Sequence, residues 1–160
     1  MMKKSITMKV RESLTRHAQM KIEQSFVDFK NAVNDWIDIS VNNGWITTRK
    51  LQSYGYRQLR EKYGNLYSNV LIEAMDVAIQ CLKQTKTKKI KPKFKTDLVC
   101  FKNKDYKLHS FGVILPLCKE RTYIPLYIPK KFKKYLNNYK LGRLTIFKEI
   151  IGIMFLYQLQ

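Results

Sequence analysis

The sequence predicts an α+β fold: a small β-barrel of the wedge or OB type, interrupted by an inserted bundle of three to four helices. Three observations lead to this prediction. Apolar residues alternate with polar ones at the start of the chain, recur at helical spacing through residues 22–81, and alternate again after residue 96. We expect the early strand to return and pair with the later strands, which would make one barrel out of two separated pieces.

The first strand and the first helix are the clearest local patterns. Polar and apolar residues alternate over Ser5–Val10, which predicts a half-buried strand. Ser13 and Thr15 are candidate N-caps for the helix that follows. The pair Asn43–Gly44 tolerates the left-handed conformation of a helix C-cap, so we expect the helix to end there. Its apolar stripe, at spacings of three and four, is Ile22, Phe26, Phe29, Val33, Trp36 or Ile37, and Ser40.

Two further helical segments complete the helical domain. From Thr47 to Tyr63 the pattern predicts one or two short helices, with Gly55 as a break. The residues predicted to face inward are Leu51, Tyr54, Leu59 and Tyr63. Ser68 is a candidate N-cap for a third long helix. Short connections between these helices predict a compact bundle. The apolar face of the third helix is Val70, Leu71, Ala74, Val77, Ala78 and Cys81.

The second half of the chain has the pattern of strands. A lysine-rich segment with Pro92 precedes it and is predicted to be a linker. Two apolar runs flank residues 118–121 as a hairpin would, and Pro129 is expected at the first position of a short basic helix. Strands are predicted at 96–101, 104–109, 111–117, 122–128, 141–148 and 152–159. The predicted organisation is a first barrel strand at 1–13, a helical recognition domain at 14–83, a basic linker at 84–95 and the remainder of the barrel at 96–160.

The net charge restricts the class of partner. Thirty-one Lys and Arg face twelve Asp and Glu, a net of +19, which disfavours a compact fold unless a polyanion neutralises it. Residues 1–83 carry a net of +5 and residues 84–160 a net of +14. Nucleic acid is the commonest such polyanion. An anionic membrane surface and a lysine-rich surface without any partner are the alternatives.

Cysteine usage and the apolar runs bear on cofactors and location. Cys81, Cys100 and Cys118 form no C-x-x-C pair, so we expect free thiols, no zinc site and no cofactor. The N-terminus lacks the apolar stretch of a signal peptide, and the run from Ile150 to Tyr157 is too short to span a bilayer. We therefore expect a cytoplasmic protein. His17 and His109 have no evident partner for chemistry, and we assign them none.

The linker lysines are the first candidates for contacts to phosphates. Ammonium groups on flexible stems neutralise a nucleic-acid backbone without distinguishing bases. A solvated hinge is the alternative interpretation. The candidates are Lys86, Lys88, Lys89, Lys91, Lys93 and Lys95.

A second basic group surrounds the helix predicted after Pro129. On a helix, Phe132 and Tyr135 share one face and anchor it while the lysines project outward. A membrane-surface helix is the alternative, but its apolar face is short. The candidates here and on the following strand are Lys130, Lys131, Lys133, Lys134, Lys140 and Arg143.

The helical domain offers aromatic and guanidinium groups that could stack on unpaired bases or hold a duplex backbone. Tyr56, Arg57 and Arg60 are the candidates, whereas Tyr54 is expected in the core. Trp36 and Trp45 are interpreted as core or helix-end packing.

The order of these segments resembles the N-terminal part of TnpB, the transposon-encoded RNA-guided nuclease related to type V CRISPR effectors. The resemblance covers nearly the whole chain and rests on the order and spacing of degenerate motifs. The segments that carry it are SITMKV, KIEQSFVDFKNAVNDWI, LQSYGYRQLREKYGNLYSNVLIEAMDVAIQCLK, KIKPKFK, VILPL, TYIPLYIP and KLGRLTIFKE. In that family they would form the recognition helices and the wedge barrel.

The departures from the family decide the expected activity. Family nucleases carry a RuvC-like domain with three metal-binding carboxylates and a zinc ribbon with two C-x-x-C pairs. Here Glu149 is the one carboxylate in the last thirty residues, so we expect no enzymatic activity. The resemblance implies a truncated, mobile-element protein that binds structured RNA, DNA or an RNA–DNA heteroduplex. A small DNA-binding regulator, or a subunit that completes a separate RuvC-like nuclease in trans, are the alternatives.

Overall fold

The computed structural model describes residues 3–86, 90–133, 139–148 and 152–159. These residues form three long helices and seven strands, and a short helical segment also begins at Lys130. In chain order the elements are β1 (Lys3–Val10), α1 (Arg16–Asn43), α2 (Thr48–Lys62), α3 (Ser68–Thr85), β2 (Leu98–Phe101), β3 (Lys107–His109), β4 (Gly112–Leu117), β5 (Glu120–Tyr127), β6 (Tyr139–Phe147) and β7 (Gly152–Leu159). The predicted α+β class is confirmed.

The seven strands form one antiparallel sheet in the order β2-β6-β7-β1-β5-β4-β3. The first strand lies between β7 and β5, with Ile6 opposite Phe155 and Lys9 opposite Tyr127. The prediction that the N-terminal strand returns to the later ones is therefore confirmed. The sheet begins at β2 and ends at β3, and no pairing joins these two among the described strands, so the described strands do not close into a barrel. Both end strands are short, with four and three residues, which leaves little ladder for closure.

Helix α1 begins and ends where its caps predict. The Thr15 hydroxyl accepts a hydrogen bond from the Ala18 amide at 3.1 Å, and Gly44 closes the helix with φ of 67°. The predicted stripe faces inward, where Phe29 and Trp36 are completely buried. The Trp36 indole N–H donates to the Leu71 carbonyl of α3 at 3.2 Å, so the largest core side chain also satisfies its polar atom.

Helix α2 is continuous through Gly55, so the prediction of a break there is wrong. The inward residues are Leu51, Gly55 and Leu59, at spacings of four, and Tyr54 is 56% exposed instead of buried. A Cβ placed on Gly55 would lie 2.8 Å from Cζ3 of Trp36 and 2.8 Å from Cδ1 of Ile39. The glycine is therefore present because α2 crosses closely over α1, and not because the helix stops.

We expect Gly55→Ala to lower the free energy of unfolding by about 1–3 kcal/mol, because the added methyl group overpacks the core. Alanine alone would favour the helix by about 1 kcal/mol, so a net loss isolates the clash. Urea denaturation of the two proteins measures the difference. Ser53→Ala, on the exposed face of the same helix, is the control and should change stability little. A Gly55→Ala protein more stable than the parent would contradict the close approach.

Helix α3 is the central element of the fold. It begins at Ser68 with Tyr67 as the N-cap residue, so the prediction of Ser68 as the cap is displaced by one position. Its buried residues extend beyond one apolar stripe and include Glu73. Burial on several sides follows because α1, α2 and β2 all contact this helix. Among the described residues, no helix combines the length and the apolar character needed to cross a bilayer.

The β4–β5 hairpin is confirmed. Its turn residues Cys118 and Lys119 both have positive φ, 46° and 67°, which suits the twist of a two-residue hairpin. Glu120, directly after the turn, forms an ion pair with the buried ammonium group of Lys21 on α1. This contact attaches the hairpin to the helical domain. On the inner face of the sheet, Ile124 and Leu126 are fully buried.

Candidate nucleic-acid interface

The predicted linker (84–95) begins inside α3, at Gln84 and Thr85, and the segment 90–97 that includes its end lies along α1. Three α1 side chains one helical turn apart hold it in the opposite direction to the helix. Asp38 forms an ion pair with Lys91, and Lys30 forms one with Asp97. Between them, the Asn34 amide donates to the Phe94 carbonyl at 3.0 Å, and its oxygen accepts from the Phe94 amide at 2.8 Å. This part of the linker is therefore a bound strap and not a solvated hinge.

The strap presents its lysines to solvent. Side chains alternate along an extended chain. Phe94 packs partly against the hydrophobic core and Pro92 is half-buried, while Lys91, Lys93 and Lys95 are exposed. Lys86, at the C-cap of α3, is exposed as well, and Lys88 and Lys89 lie outside the described residues. Fixing the backbone in this way holds Lys93 and Lys95 in a row, roughly 6–7 Å apart.

The start of the strap borders an open cleft of about 390 Å³. Its lining is apolar along Trp45, Leu82 and Ile90, with Lys86 and Lys91 among the charged residues. Tyr54 packs edge-to-face on the Trp45 ring, with centroids 5.2 Å apart. The interpretation of Trp45 as helix-end packing agrees with this position.

Acidic groups are drawn into ion pairs, which leaves the cationic excess on the surface. Lys30 and then Lys148 lower the pKa of Asp97, and Lys62 lies 2.7 Å from the Asp35 carboxylate. The acidic residues paired among the described residues are Asp35, Asp38, Glu61, Glu73, Asp97 and Glu120. Within the described part of the chain, no ion pair of this kind engages Lys86, Lys93 or Lys95.

The helical segment after β5 carries the second basic group. The Phe132 amide donates to the Pro129 carbonyl at 2.9 Å, and the helix begins at Lys130. Pro129 was predicted at the first helical position and instead lies directly before it. Lys130, Lys131 and Lys133 are exposed, and Lys134 lies outside the described residues. In the strand order β5 is four positions from β2, to which the strap connects. The two basic groups therefore attach to different parts of the sheet.

The last strands separate the two remaining basic candidates. Lys140 is exposed on β6, opposite Gln158 of β7. Arg143, by contrast, is partly buried and lies 2.6 Å from the Glu73 carboxylate, which is 6% exposed. Burial raises the pKa of Glu73, and the Arg143 charge opposes that rise. Arg143 is therefore engaged in the fold, and its prediction as part of an outer basic surface does not match this position.

The three candidates on α2 do not form a single surface. Arg57 is exposed and lies 3.7 Å from Glu61 on the same helix. Arg60 donates from its Nη1 to the Leu66 carbonyl at 2.6 Å, so it supports the loop before α3. Tyr56 packs partly against the core. Of the three, Arg57 keeps the most accessible charge.

Exposed aromatic side chains of the sheet were missed from the sequence. Phe111, Tyr123 and Tyr127 are 60%, 47% and 48% exposed. Tyr123 and Tyr127 occupy alternate positions of β5, opposite in phase to the buried Ile124 and Leu126. The alternation along β5 is visible in the sequence. It does not show whether the tyrosines or Ile124 and Leu126 face the core.

Within the described residues, no group of three or more His, Cys, Asp or Glu side chains is arranged to hold a metal ion. Burial raises the pKa of the Cys81 and Cys100 thiols.

No protein-family model matches this sequence, and no curated protein matches it either. The candidate interface is therefore defined by charge and geometry alone.

Proposed function

We propose that this chain binds nucleic acid through its phosphates, recognising structured RNA or an RNA–DNA heteroduplex by shape and charge and without cutting it. The proposal includes a cytoplasmic location. It also includes kinship with the N-terminal part of TnpB-like proteins, in which the open sheet would correspond to the wedge barrel and the helices to the recognition domain. Sequence order and the mixed α+β architecture support the kinship.

The observation that carries the proposal is the fixed row of strap lysines on a chain of net charge +19. A flexible lysine loses conformational entropy when it binds a phosphate, whereas a backbone already held by Asn34 avoids part of that cost. Lys93 and Lys95 project from this held backbone. Such contacts position a backbone and do not select a base sequence.

We expect the observed binding constant for a duplex to fall steeply with salt. If about six lysines contact phosphates, the plot of log K against log salt has a slope of about −5, because each contact releases condensed counterions. Fluorescence anisotropy with a labelled RNA hairpin, an RNA–DNA duplex and a DNA duplex measures the slope. A binding constant independent of salt would overturn the proposal.

The same samples test for cleavage. Incubation with Mg²⁺ or Mn²⁺ should return the RNA and the DNA intact on a denaturing gel. Cutting that is lost in Asp105→Asn would reveal a metal site and contradict this part of the proposal.

Vesicles with an anionic lipid surface test the membrane alternative. Binding to these vesicles that is equal to or tighter than binding to nucleic acid would favour that alternative.

A further inference from the structure

Tyr123 and Tyr127 expose their aromatic rings on the outer face of β5, opposite the buried Ile124 and Leu126. Residues opposite each other in antiparallel strands project to the same face. Lys107, Ile114 and Tyr123 form one such row across β3, β4 and β5, and Lys9 lies opposite Tyr127 in another. Exposed rings therefore stand beside exposed lysines in the same rows. We call the surface of Tyr123 and Tyr127 the aromatic platform.

The tip of the Tyr123 ring lies over Gly112 of β4. A Cβ built on Gly112 of β4 would lie 2.6 Å from both Cζ and the hydroxyl of Tyr123, so this ring occupies the space directly above the glycine. The inner side of the ring covers backbone. Its remaining surface, at 47% exposure, faces solvent. Contact with Gly112 accounts for the position of the Tyr123 ring. It does not account for the second exposed ring or for the cations beside the rings.

Cations are held against the ring of Tyr127 and against the exposed ring of Phe111, which lies in the turn before β4. The Arg11 guanidinium lies 4.9 Å from the centre of the Tyr127 ring, and its Nε donates to the Leu126 carbonyl at 2.9 Å. The Lys133 ammonium lies 5.0 Å from the centre of the Phe111 ring. Aromatic rings combined with Arg and Lys are the groups that hold unpaired bases and their phosphates.

The spacing of the rings fits an extended strand. Tyr123 and Tyr127 are four residues apart on β5, which places their Cα atoms about 13 Å from each other. Bases in a duplex are stacked on each other and offer no free face, whereas a single strand can splay its bases onto a sheet. Lys9 and Lys107 flank the rings where the backbone of such a strand would pass.

From these contacts we propose that the aromatic platform binds single-stranded RNA or DNA by stacking its bases on Tyr123 and Tyr127. The inference rests on the proposed function and assigns it a second, base-stacking surface, separate from the strap lysines. A duplex would bind through the strap, and an unpaired segment joined to it would continue onto the platform.

The test compares two single strands with the same number of phosphates. A labelled oligouridine of about 12 nucleotides, long enough for one such sheet, is measured against an abasic strand of equal length. We expect the parent protein to bind the oligouridine at least about tenfold more tightly, since stacking contributes substantially for each base. In Tyr123→Leu/Tyr127→Leu that preference should disappear while duplex affinity and its salt slope stay unchanged.

Leucine keeps an apolar side chain over the sheet, and circular dichroism checks that the variant is folded. Tyr54→Leu removes a tyrosine of similar exposure from α2 and should keep the preference. Equal binding of both strands by the parent protein would overturn the platform and leave the proposed function standing. Failure of the parent protein to bind any duplex or single strand would overturn both. A variant that keeps the full preference would show that the bases stack elsewhere.

Discussion

Replacing Lys86, Lys93 and Lys95 together with Gln should weaken binding to duplex RNA by about 100-fold near physiological salt, and should reduce the salt slope by about 2.7. Each lost phosphate contact removes about 0.9 from the slope, and the corresponding counterion release is worth about fivefold in affinity at this salt concentration. All three lysines are exposed, and two of them project from the strap. Fluorescence anisotropy at several salt concentrations measures both quantities.

The control removes the same charge from elsewhere on the surface. Arg16, Arg49 and Lys50 are exposed on α1 and α2, so replacing them with Gln keeps the net charge of the two variants equal. If the control loses as much affinity as the strap variant, binding is governed by total charge and not by the strap. The loss in the strap variant should be similar for unrelated duplex sequences, because phosphate contacts carry no base information. A loss confined to one sequence would indicate base recognition instead.

Local patterns in the sequence predicted the elements well where the deciding interactions are local. The Thr15 cap, the Gly44 end and the hairpin around residues 118–121 are set by residues close in sequence. Gly55 was mistaken for a break because a glycine inside a helix lowers local propensity, and sequence alone does not show the Trp36 ring that requires it. Tyr54 was predicted to face inward because the inward position belongs to its neighbour Gly55. Glycine has no apolar side chain that would mark this position as inward in the sequence.

The candidate site depended on distant partners and was predicted less completely. The linker lysines were identified from composition, but the backbone that holds them is fixed by Asn34, sixty residues earlier in the chain. Sheet closure depends on which strands meet at the edges, and nothing in an alternating pattern specifies that. In the sequence, Arg143 is a basic residue in a basic region, like the surface lysines around it. Its partner Glu73 lies on α3, seventy residues earlier in the chain, so the sequence does not show the pairing.

The second large effect concerns that ion pair. We expect Arg143→Met to lower the free energy of unfolding by about 3–5 kcal/mol at neutral pH, because it leaves the Glu73 charge buried without a partner. Burial already raises the pKa of Glu73 above its ordinary 4.5, and loss of Arg143 should raise it further. At pH values between 4.5 and the raised pKa, Glu73 is protonated in the folded state and ionised in the unfolded state. The folded state therefore binds more protons, and the free energy of unfolding falls as pH rises.

The loss in Arg143→Met should therefore be smallest near pH 4, where the carboxyl is protonated in both states, and should grow towards about pH 8. Urea denaturation across this range measures it. Adding Glu73→Gln to the variant removes the buried charge and should abolish the growth of the loss with pH. Lys140→Met, on the same strand but exposed, should change stability by less than about 0.5 kcal/mol. A loss in Arg143→Met that is the same at both ends of the pH range would mean that Arg143 stabilises the fold through packing of its side chain and not through the Glu73 charge.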